Sequence, residues 1–276
     1  MTTPIEVLYI ESRQNPRLKD LARLWDRKHR DGQARFLIEG LREVQHAVIS
    51  GWGIEILFFC PDLFSSEAHA EWLGTIRDNR DQRVEYIRLS VGAFEKISRR
   101  QGPDGVLAVA PYRQQRLQDL SLSPAPLLII LEGLEKPGNL GAILRTADAA
   151  AVDAVIMVDC AIDRFNPNVI RASQGMTFRL PVVSADAEVL QNWLRDNKIQ
   201  PVALTPHAKK SLWQLNLSAP TAFVFGAEDK GLSPLWMQTN MDPCRIPMGG
   251  AADSLNVSVT AAICAFEARR QRDMIA

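Results

Sequence analysis

The chain has 276 residues, more than one ordinary domain requires, and this length predicts two domains. A composition of 46% hydrophobic and 23% charged residues is typical of a folded globular protein and excludes wholesale disorder. Basic and acidic residues both number 32, so the net charge is zero. The chain therefore lacks the excess of basic residues that most nucleic-acid-binding proteins show.

Apolar runs and cysteines exclude further classes of protein. The apolar runs are strand-sized, shorter than the ~18 residues of a membrane span, and residues 1–12 do not resemble a signal peptide. The four cysteines have neither C-x-x-C spacing nor histidines at ligand spacing, which predicts reduced, mostly buried thiols. We therefore expect a cytoplasmic protein with no membrane segment and no bound metal.

Residues 1–112 predict a small α/β domain. Apolar residues between Leu18 and Trp25 recur at helical spacing, and Ser90 is expected to cap a helix that ends near Arg100. The other predicted helices are 41–51 and 66–78, and the predicted strands are 36–38, 54–59, 84–89 and 105–110. Residues 113–125 are polar and then rich in Ser and Pro, which favours a linker.

Residues 126–276 predict a second α/β domain. Short apolar strands alternate there with helical patterns, as in a largely parallel sheet that is covered on both faces. The predicted strands are 127–131, 154–158, 180–183, 201–205, 221–225 and 244–246. Ligands bind beyond the carboxyl ends of such strands, so the loops that follow them are expected to carry the chemistry.

The first of these loops, residues 132–150, leads into a helix. It lacks both the G-x-G-x-x-G and the G-K-[ST] nucleotide-binding patterns. Asn139 is predicted to cap the helix. Arg145 lies off the predicted buried stripe, where it either pairs with Asp148 on the surface or contributes to a site.

Two later loops also combine flexible backbone with polar side chains. Glu228 lies between Gly226 and Gly231 after an apolar strand, and is either a solvated acid in a turn or part of a site. Ser254 is predicted to cap a long helix that has Asn256 in its first turn. The residues predicted to face the core from this helix are Leu255, Val259, Ile263 and Phe266.

Together the loops resemble the three motifs of the SpoU (TrmH) family, which belongs to the SPOUT superfamily. Members of the SpoU family are S-adenosylmethionine-dependent RNA 2′-O-ribose methyltransferases. The residues that carry the resemblance are Asn139-Leu140-Gly141-Ala142-Ile143 with Arg145, Gly226-Ala227-Glu228 with Gly231, and Ile246-Pro247-Met248 with Ser254-Leu255-Asn256. Segment 165–181 is similar to a further loop of the family. Asn15-Pro16 and Phe36-Leu37-Ile38-Glu39-Gly40 resemble the substrate-binding domain that precedes many of these enzymes.

The resemblance implies a fold, a cofactor and an assembly. The carboxy-terminal domain would form a parallel sheet with a deep trefoil knot, and two copies would make a homodimer through it. S-adenosylmethionine would lie against loop backbone and apolar side chains. The residues implied to hold it are Leu204, Thr205, Gly226, Glu228, Gly231, Ile246, Met248 and Leu255.

The resemblance also implies roles for five polar residues in methyl transfer to a ribose 2′-oxygen. A guanidinium stays protonated near neutral pH, so we expect Arg145 to bind a phosphate and to stabilise charge on the attacking oxygen. Asn139 would orient the arginine or the ribose. Glu228 would hold Arg145 or accept a proton. Ser254 and Asn256 would position the nucleotide and the cofactor.

Basic residues are concentrated in the first domain. Residues 13–42 hold nine basic and four acidic side chains, and residues 77–100 hold seven basic and four acidic. The alternative to an RNA-binding surface is a solvated helix face with charges paired along it. The predicted RNA contacts are Arg17, Lys19, Arg23, Arg27, Arg30 and Arg35, of which Lys19, Arg23, Arg27 and Arg30 have the spacing of one helical face.

The sequence therefore predicts an RNA ribose methyltransferase, and the separate amino-terminal domain favours ribosomal RNA. A tRNA methyltransferase and an rRNA methyltransferase that confers antibiotic resistance remain open, as does a non-catalytic RNA-binding protein with the same fold. The presence of Arg145, Glu228, Ser254 and Asn256 disfavours the non-catalytic alternative.

Overall fold

The structure is a computed structural model that describes residues 7–78, 84–237 and 243–274, without the side chains of residues 77, 78 and 237. By its contacts the chain divides into two compact units, Met1–Arg113 with Phe165–Phe178, and Gln114–Arg164 with Arg179–Ala276. Residues 165–178 thus group with the first unit, whereas the sequence predicts them within the second domain. In the described ranges, no helix has both the length and the hydropathy needed to cross a membrane.

The first unit is built on a mixed sheet. In chain order its elements are β1 (Leu8–Ile10), α1 (Pro16–Leu21), α2 (Arg27–Gln33), β2 (Arg35–Glu39), α3 (Leu41–Ile49), β3 (Ile56–Phe59), α4 (Glu67–Asp78), β4 (Glu85–Leu89), α5 (Val91–Ile97) and β5 (Val106–Pro111). The strand order is β1-β4-β3-β5-β2. Strands β1, β4 and β3 run parallel, and β5 runs antiparallel to β3 and to β2.

Alternation along the strands divides the apolar core of this unit into two layers. Phe36 and Ile38 of β2 lie in one layer with Val44 of α3. Leu37 points to the opposite layer, where it packs with Leu18 of α1. Because successive strand residues face opposite sides of a sheet, helices cover both faces of this one.

The predicted helix over Leu18–Trp25 is wrong in its extent. Helix α1 ends at Leu21, and Ala22–Trp25 form a 3₁₀ turn. Asp26 then has extended backbone, and its carboxylate accepts a hydrogen bond from the N–H of Lys28 at 3.0 Å, which caps α2. The interruption changes the helical phase, so the basic residues spaced for one continuous helix do not share one face.

The second unit contains the predicted parallel sheet. The remaining elements are β6 (Leu127–Glu132), α6 (Pro137–Ala149), β7 (Ala154–Val158), α7 (Pro167–Ala172, in the first unit), β8 (Val182–Ser184), α8 (Ala187–Asp196), β9 (Gln200–Ala203), β10 (Lys210–Ser211), β11 (Thr221–Phe225), α9 (Pro234–Met237), β12 (Cys244–Arg245) and α10 (Val257–Asp273). The order is β8-β7-β6-β11-β9, with parallel pairs throughout. Strand β12 pairs with β10, and one parallel bridge from Cys244 to Leu204 joins it to the chain just after β9, so the predicted sixth strand does not run along the sheet. The knot stays a prediction.

Residues 113–125, predicted as a linker, contact the second unit. Leu117 is buried in the core cluster that contains Leu128 and Ile130 of β6. The N–H of Ser123 donates to the carboxylate of Asp153 at 2.7 Å. The leucines of this polar segment therefore pack in the core of the second unit, and the segment does not form a free linker.

All four cysteines are free thiols, and three of them are buried. Burial raises the pKa of Cys60, Cys160 and Cys264 and keeps these thiols protonated near neutral pH. Among the described residues there is no group of three or more His, Cys, Asp or Glu side chains that could hold a metal ion.

Helix α10 buries the face opposite to the predicted one. Val259 and Phe266, predicted to be buried, are 46% and 49% exposed. The residues that face the core are Val257, Ala261, Cys264, Ala265 and Ala268. Helix α10 packs against α6, and small side chains allow two helices to approach closely, so the alanine-rich face lies inward.

Candidate active site

Three loops meet where β6, β11 and β12 end. They are residues 133–136, 226–233 and 246–256. Glu132, the buried last residue of β6, accepts hydrogen bonds from the N–H and Oγ of Ser233 at 2.8 and 2.7 Å. This carboxylate therefore holds the loop after β11 against the end of β6.

The loop after β11 requires glycine at Gly226. A Cβ atom there would lie 2.2 Å from the carbonyl carbon of Gly231, which is closer than any side chain permits. Ala227 and Gly231 exchange backbone hydrogen bonds of 3.1 and 2.9 Å, and Gly231 has a φ of +68°. The loop doubles back on itself and carries Glu228 at its exposed tip.

Glu228, Asn139 and Asn256 form a chain of hydrogen bonds across the three loops. The carboxylate of Glu228 accepts from Nδ2 of Asn139 and from Nζ of Lys136. Oδ1 of Asn139 accepts from Nδ2 of Asn256 at 3.2 Å. Three of the five predicted catalytic residues are thus joined directly. Lys136 was not predicted, because only its place before Pro137 at the start of α6 marks it in the sequence.

Two predicted helix caps are corrected. Helix α6 begins at Pro137, so Asn139 lies inside its first turn and does not cap it. Proline suits the first helical position because it has no N–H to leave unpaired there. Asn256, instead of Ser254, caps α10: its Oδ1 accepts from the N–H and Oγ of Ser258 at 2.9 and 2.6 Å.

Arg145 and Ser254 lie outside this network. Arg145 is exposed on α6 and makes no ion pair within the described part of the chain. Its predicted surface partner, Asp148, lies 3.6 Å from Nε of Arg179 instead. Glu228 contacts Lys136 and Asn139 in the structure instead of Arg145, and its alternative role as a proton acceptor stays a prediction. Ser254 is exposed and has no hydrogen bond to another described residue.

The segments predicted to hold the cofactor lie at one edge of the second unit. The N–H of Leu204 donates to the carbonyl of Val224 at 3.0 Å, and the N–H of Thr205 donates to the carbonyl of Cys244 at 3.0 Å. Gly226 follows Val224 by two residues, and Ile246 follows Cys244 by two. The backbone therefore brings Leu204, Thr205, Gly226 and Ile246 together.

The residues at this edge fit S-adenosylmethionine. Met248 and Leu255 are apolar yet 39% and 36% exposed, and Leu204 and Ile246 are half-buried. Partly exposed apolar side chains beside loop backbone suit a flat adenine ring that needs only a few directional hydrogen bonds. Gly231 and Glu228 lie in the loop that follows β11. These residues would hold the cofactor between the loops after β9, β11 and β12.

Arg30 is not available to RNA. Its side chain is 2% exposed, and Nη1 donates to the carbonyls of Leu24 and Trp25 at 3.3 and 2.9 Å. The guanidinium thereby satisfies carbonyl groups of the 3₁₀ turn between α1 and α2. The prediction that Arg30 contacts RNA is corrected, since its charge is directed into the fold.

The other predicted RNA contacts are more accessible, although most have acidic neighbours. Arg17 donates to Glu85 at 2.6 Å. The remaining ion pairs are Arg35–Glu55 at 2.5 Å, Arg27–Asp31 at 3.4 Å and Arg23–Asp20 at 3.8 Å. Lys19 is exposed. In the second basic cluster, the side chains of Arg77, Arg80 and Arg83 lie outside the described residues.

Comparison with known proteins identifies the family. Residues 126–266, just over half of the chain, match the model of the SpoU rRNA Methylase family. The chain belongs to this family. Residues 15–108 of this SpoU protein match the MRM3-like substrate binding domain. The predicted family and the α/β fold with an amino-terminal substrate-binding domain are confirmed.

Relatives of this SpoU protein match it over nearly the whole chain. It is 28% identical to the 23S rRNA (guanosine(2553)-2′-O)-methyltransferase RlmP of Bacillus subtilis, over 94% of this chain and 98% of that one. It is 40% identical to an RNA 2′-O ribose methyltransferase of known crystal structure, with a TM-score of 0.82 over 96% of this chain and 99% of that one. An AdoMet-bound rRNA methyltransferase from Sinorhizobium meliloti is 31% identical, with a TM-score of 0.85 over 96% and 98%.

Proposed function

We propose that this protein transfers a methyl group from S-adenosylmethionine to a ribose 2′-hydroxyl of 23S ribosomal RNA. The observation that carries the proposal is the hydrogen-bonded chain of Asn139, Glu228 and Asn256, which joins all three family motifs. Relatives that match nearly the full chain are 2′-O-methyltransferases, and RlmP acts on 23S rRNA. This favours ribosomal RNA over tRNA as the substrate.

The network supports a role of Asn139 in contact with a ribose. S-adenosylmethionine, when bound, supplies an electrophilic methyl group. An asparagine amide has two N–H groups and two carbonyl lone pairs, and Glu228 and Asn256 use one of each. The second N–H and the second lone pair of Asn139 therefore remain for the sugar. Glu228 acts as a positioning residue because it bonds to Asn139, and Lys136 acts only through its contact with Glu228.

Arg145 supplies the positive charge. Its guanidinium is exposed and carries no carboxylate partner among the described residues. It would bind the phosphate beside the target ribose and stabilise the negative charge that forms on the 2′-oxygen as its proton leaves. Ser254, exposed in the loop before α10, would position the nucleotide.

Replacement of Arg145 tests this function. We expect Arg145→Ala to lower single-turnover methyl transfer to 23S rRNA by about 100-fold or more. Arg145→Lys should also be impaired, because an ammonium cannot reproduce the bidentate guanidinium. The melting temperature and the calorimetric affinity for S-adenosylmethionine should not change, since the side chain is exposed.

Arg195 provides a matched control on α8. Its side chain is exposed and donates only to Asn192 in the described chain, so Arg195→Ala should methylate like the wild type. Near-full activity of Arg145→Ala would refute the role of Arg145. A wild-type protein that binds no S-adenosylmethionine would support the non-catalytic alternative. Mapping of ribose methylation in total RNA from a deletion strain would separate rRNA from tRNA substrates.

We further propose a homodimer formed through the outer face of α10. Val259 and Phe266 expose an apolar face along this helix, and such faces on monomers mark contact surfaces. A second copy of the chain is the occupant that the family resemblance implies. Light scattering of the wild type should give twice the chain mass, and Val259→Asp with Phe266→Asp should give the monomer. A monomeric wild type would overturn the proposal.

Because rRNA is the proposed substrate, we also propose a cytoplasmic location.

A further inference from the structure

A cleft in the first unit is lined by three arginines. It encloses about 170 Å³ and is partly open to solvent. Its lining includes Trp25, Leu37, Glu39, Arg99, Arg100 and Arg171, all of which belong to the first unit. Three arginines and one glutamate thus line a single small space.

The segment that contributes Arg171 is fixed to this unit by aromatic packing. Phe165 stacks on Tyr112 with ring centroids 4.3 Å apart, and its ring lies 4.5 Å from that of Phe36. At the other end of the segment, Nε1 of Trp52 donates to the carbonyl of Phe178 at 3.2 Å. Helix α7 is therefore held at both ends, and Arg171 is presented from a rigid frame.

Two of the charged groups of the cleft are used by the fold. Glu39 accepts hydrogen bonds from Oγ of Ser98 and from the backbone N–H groups of Arg99 and Arg100, the last two at 3.1 and 3.3 Å. Nη2 of Arg100 donates to Glu43 at 2.8 Å. Glu39 therefore anchors the turn, and the charge of Arg100 is compensated by Glu43.

Arg99 and Arg171 remain available to a ligand. Both are exposed, and neither side chain makes an ion pair within the described ranges. The guanidinium carbon of Arg99 lies 5.6 Å from the ring centroid of Trp25, whose Nε1 is fixed by the carbonyl of Ile97 at 2.8 Å. A guanidinium stacked on an aromatic face keeps the N–H groups along its edge for an anion.

We propose that this cleft binds one phosphodiester of the RNA substrate, with Arg99 and Arg171 donating to the phosphate oxygens. The proposal rests on the proposed function, because it takes the anion to be part of the methylated RNA. Two uncompensated guanidinium groups select a phosphate by charge and geometry. A cavity of about 150 Å³ holds one benzene ring, so the cleft has room for a phosphate with part of its ribose. The match of residues 15–108 to a substrate-binding domain supports RNA as the source.

The test removes both charges together. Arg99→Gln with Arg171→Gln should raise the KM and the Kd for 23S rRNA by about tenfold near physiological salt, because one phosphate contact is lost. The slope of log Kd against log salt concentration should become shallower by about 1. The turnover number at saturating RNA and the affinity for S-adenosylmethionine should be unchanged. Arg195→Gln, which removes an exposed charge from the other unit, is the matched control.

Separate outcomes distinguish failure of the cleft from failure of the function. If the double variant keeps the wild-type Kd and salt slope while the wild type methylates RNA, the cleft proposal is overturned and the function stands. If the wild type methylates no RNA, the function fails, whereas RNA binding still reports on the cleft. If inorganic phosphate binds the wild type and not the variant, yet RNA binding is equal, the cleft is a small-anion site and the proposal is overturned. A thermal melt of the variant verifies its folding.

Discussion

The candidate active site and the basic region of the first unit use their polar side chains in different ways. At the candidate active site, Asn139 bonds to both Glu228 and Asn256 across loops, and Arg145 has no carboxylate partner among the described residues. In the basic region, Arg30 bonds to backbone carbonyls, and Arg17 bonds to Glu85. Polar side chains therefore contact the fold in the basic region, whereas at the candidate active site they are the ones proposed to contact a ligand.

The difference shows that the partner of a charged side chain indicates the role of that side chain better than its residue type does. Arg99 and Arg100 are adjacent in the sequence, yet Arg100 is compensated by Glu43 whereas Arg99 lies over the ring of Trp25 and makes no ion pair with a described residue. A surface ion pair contributes little to stability, but it does compete with an RNA phosphate for the same donors. Substitutions can therefore distinguish arginines that stabilise the fold from arginines that are proposed to bind a ligand.

The largest effect on stability is expected at Arg30. Arg30→Ala should lower the free energy of unfolding by roughly 3 kcal/mol, because it leaves a cavity and deprives the carbonyls of Leu24 and Trp25 of a donor. Arg23→Ala, at an exposed position, should stay within about 0.5 kcal/mol of the wild type. Urea denaturation followed by circular dichroism measures both. Equal stabilities would contradict the structural role of Arg30.

A moderate effect is expected at the start of α10. Asn256→Ala should cost about 1 kcal/mol, because the helix loses its cap, and it should also lower methyl transfer, because Asn139 loses a partner. Ser254→Ala should lower methyl transfer without a change in melting temperature. Parallel thermal melts and single-turnover assays compare the two variants. A loss of stability in Ser254→Ala would restore Ser254 as the cap.

The smallest effect is expected at the pair of Arg17 and Glu85. The hydrogen bond from Arg17 lowers the pKa of Glu85, so the pair stabilises the fold above about pH 4.5 and loses its effect as the pH falls through the lowered pKa. Glu85→Gln should reduce stability by less than about 1 kcal/mol at neutral pH, and the difference from the wild type should vanish in acid. Melting temperatures measured in a series from neutral pH into acid test this. A difference that persists in acid would exclude the ion pair as its cause.

Removal of Glu85 also refines the comparison of the two regions. If Arg17 is held only by Glu85, the variant frees a guanidinium on the basic region, and the Kd for RNA should fall or stay equal. A weaker affinity for RNA would indicate that the pair positions Arg17 for the ligand. Filter binding at two salt concentrations is sufficient for this measurement.

The sequence alone determined the features that depend on local pattern. Strands of apolar residues such as β6 and β11 are recognisable because both faces of a parallel sheet are buried. The order of the three motifs determined the family, and with it Asn139, Glu228 and Asn256 as residues of one site. Gly226 belongs to the same group, since a motif glycine marks a close approach of backbone.

Only the tertiary structure decided which polar group contacts which. Both faces of α10 carry apolar residues, and the closeness of α6 selected the face with Ala261 and Ala265, leaving Val259 and Phe266 exposed. Asn256 replaced Ser254 as the cap because the helix begins two residues later than predicted. The burial of Arg30 and the presence of Arg99 and Arg171 in the lining of one cleft depend on contacts between distant segments. Helical or strand periodicity reports which face of an element is apolar, and carries no information about what lies opposite that face.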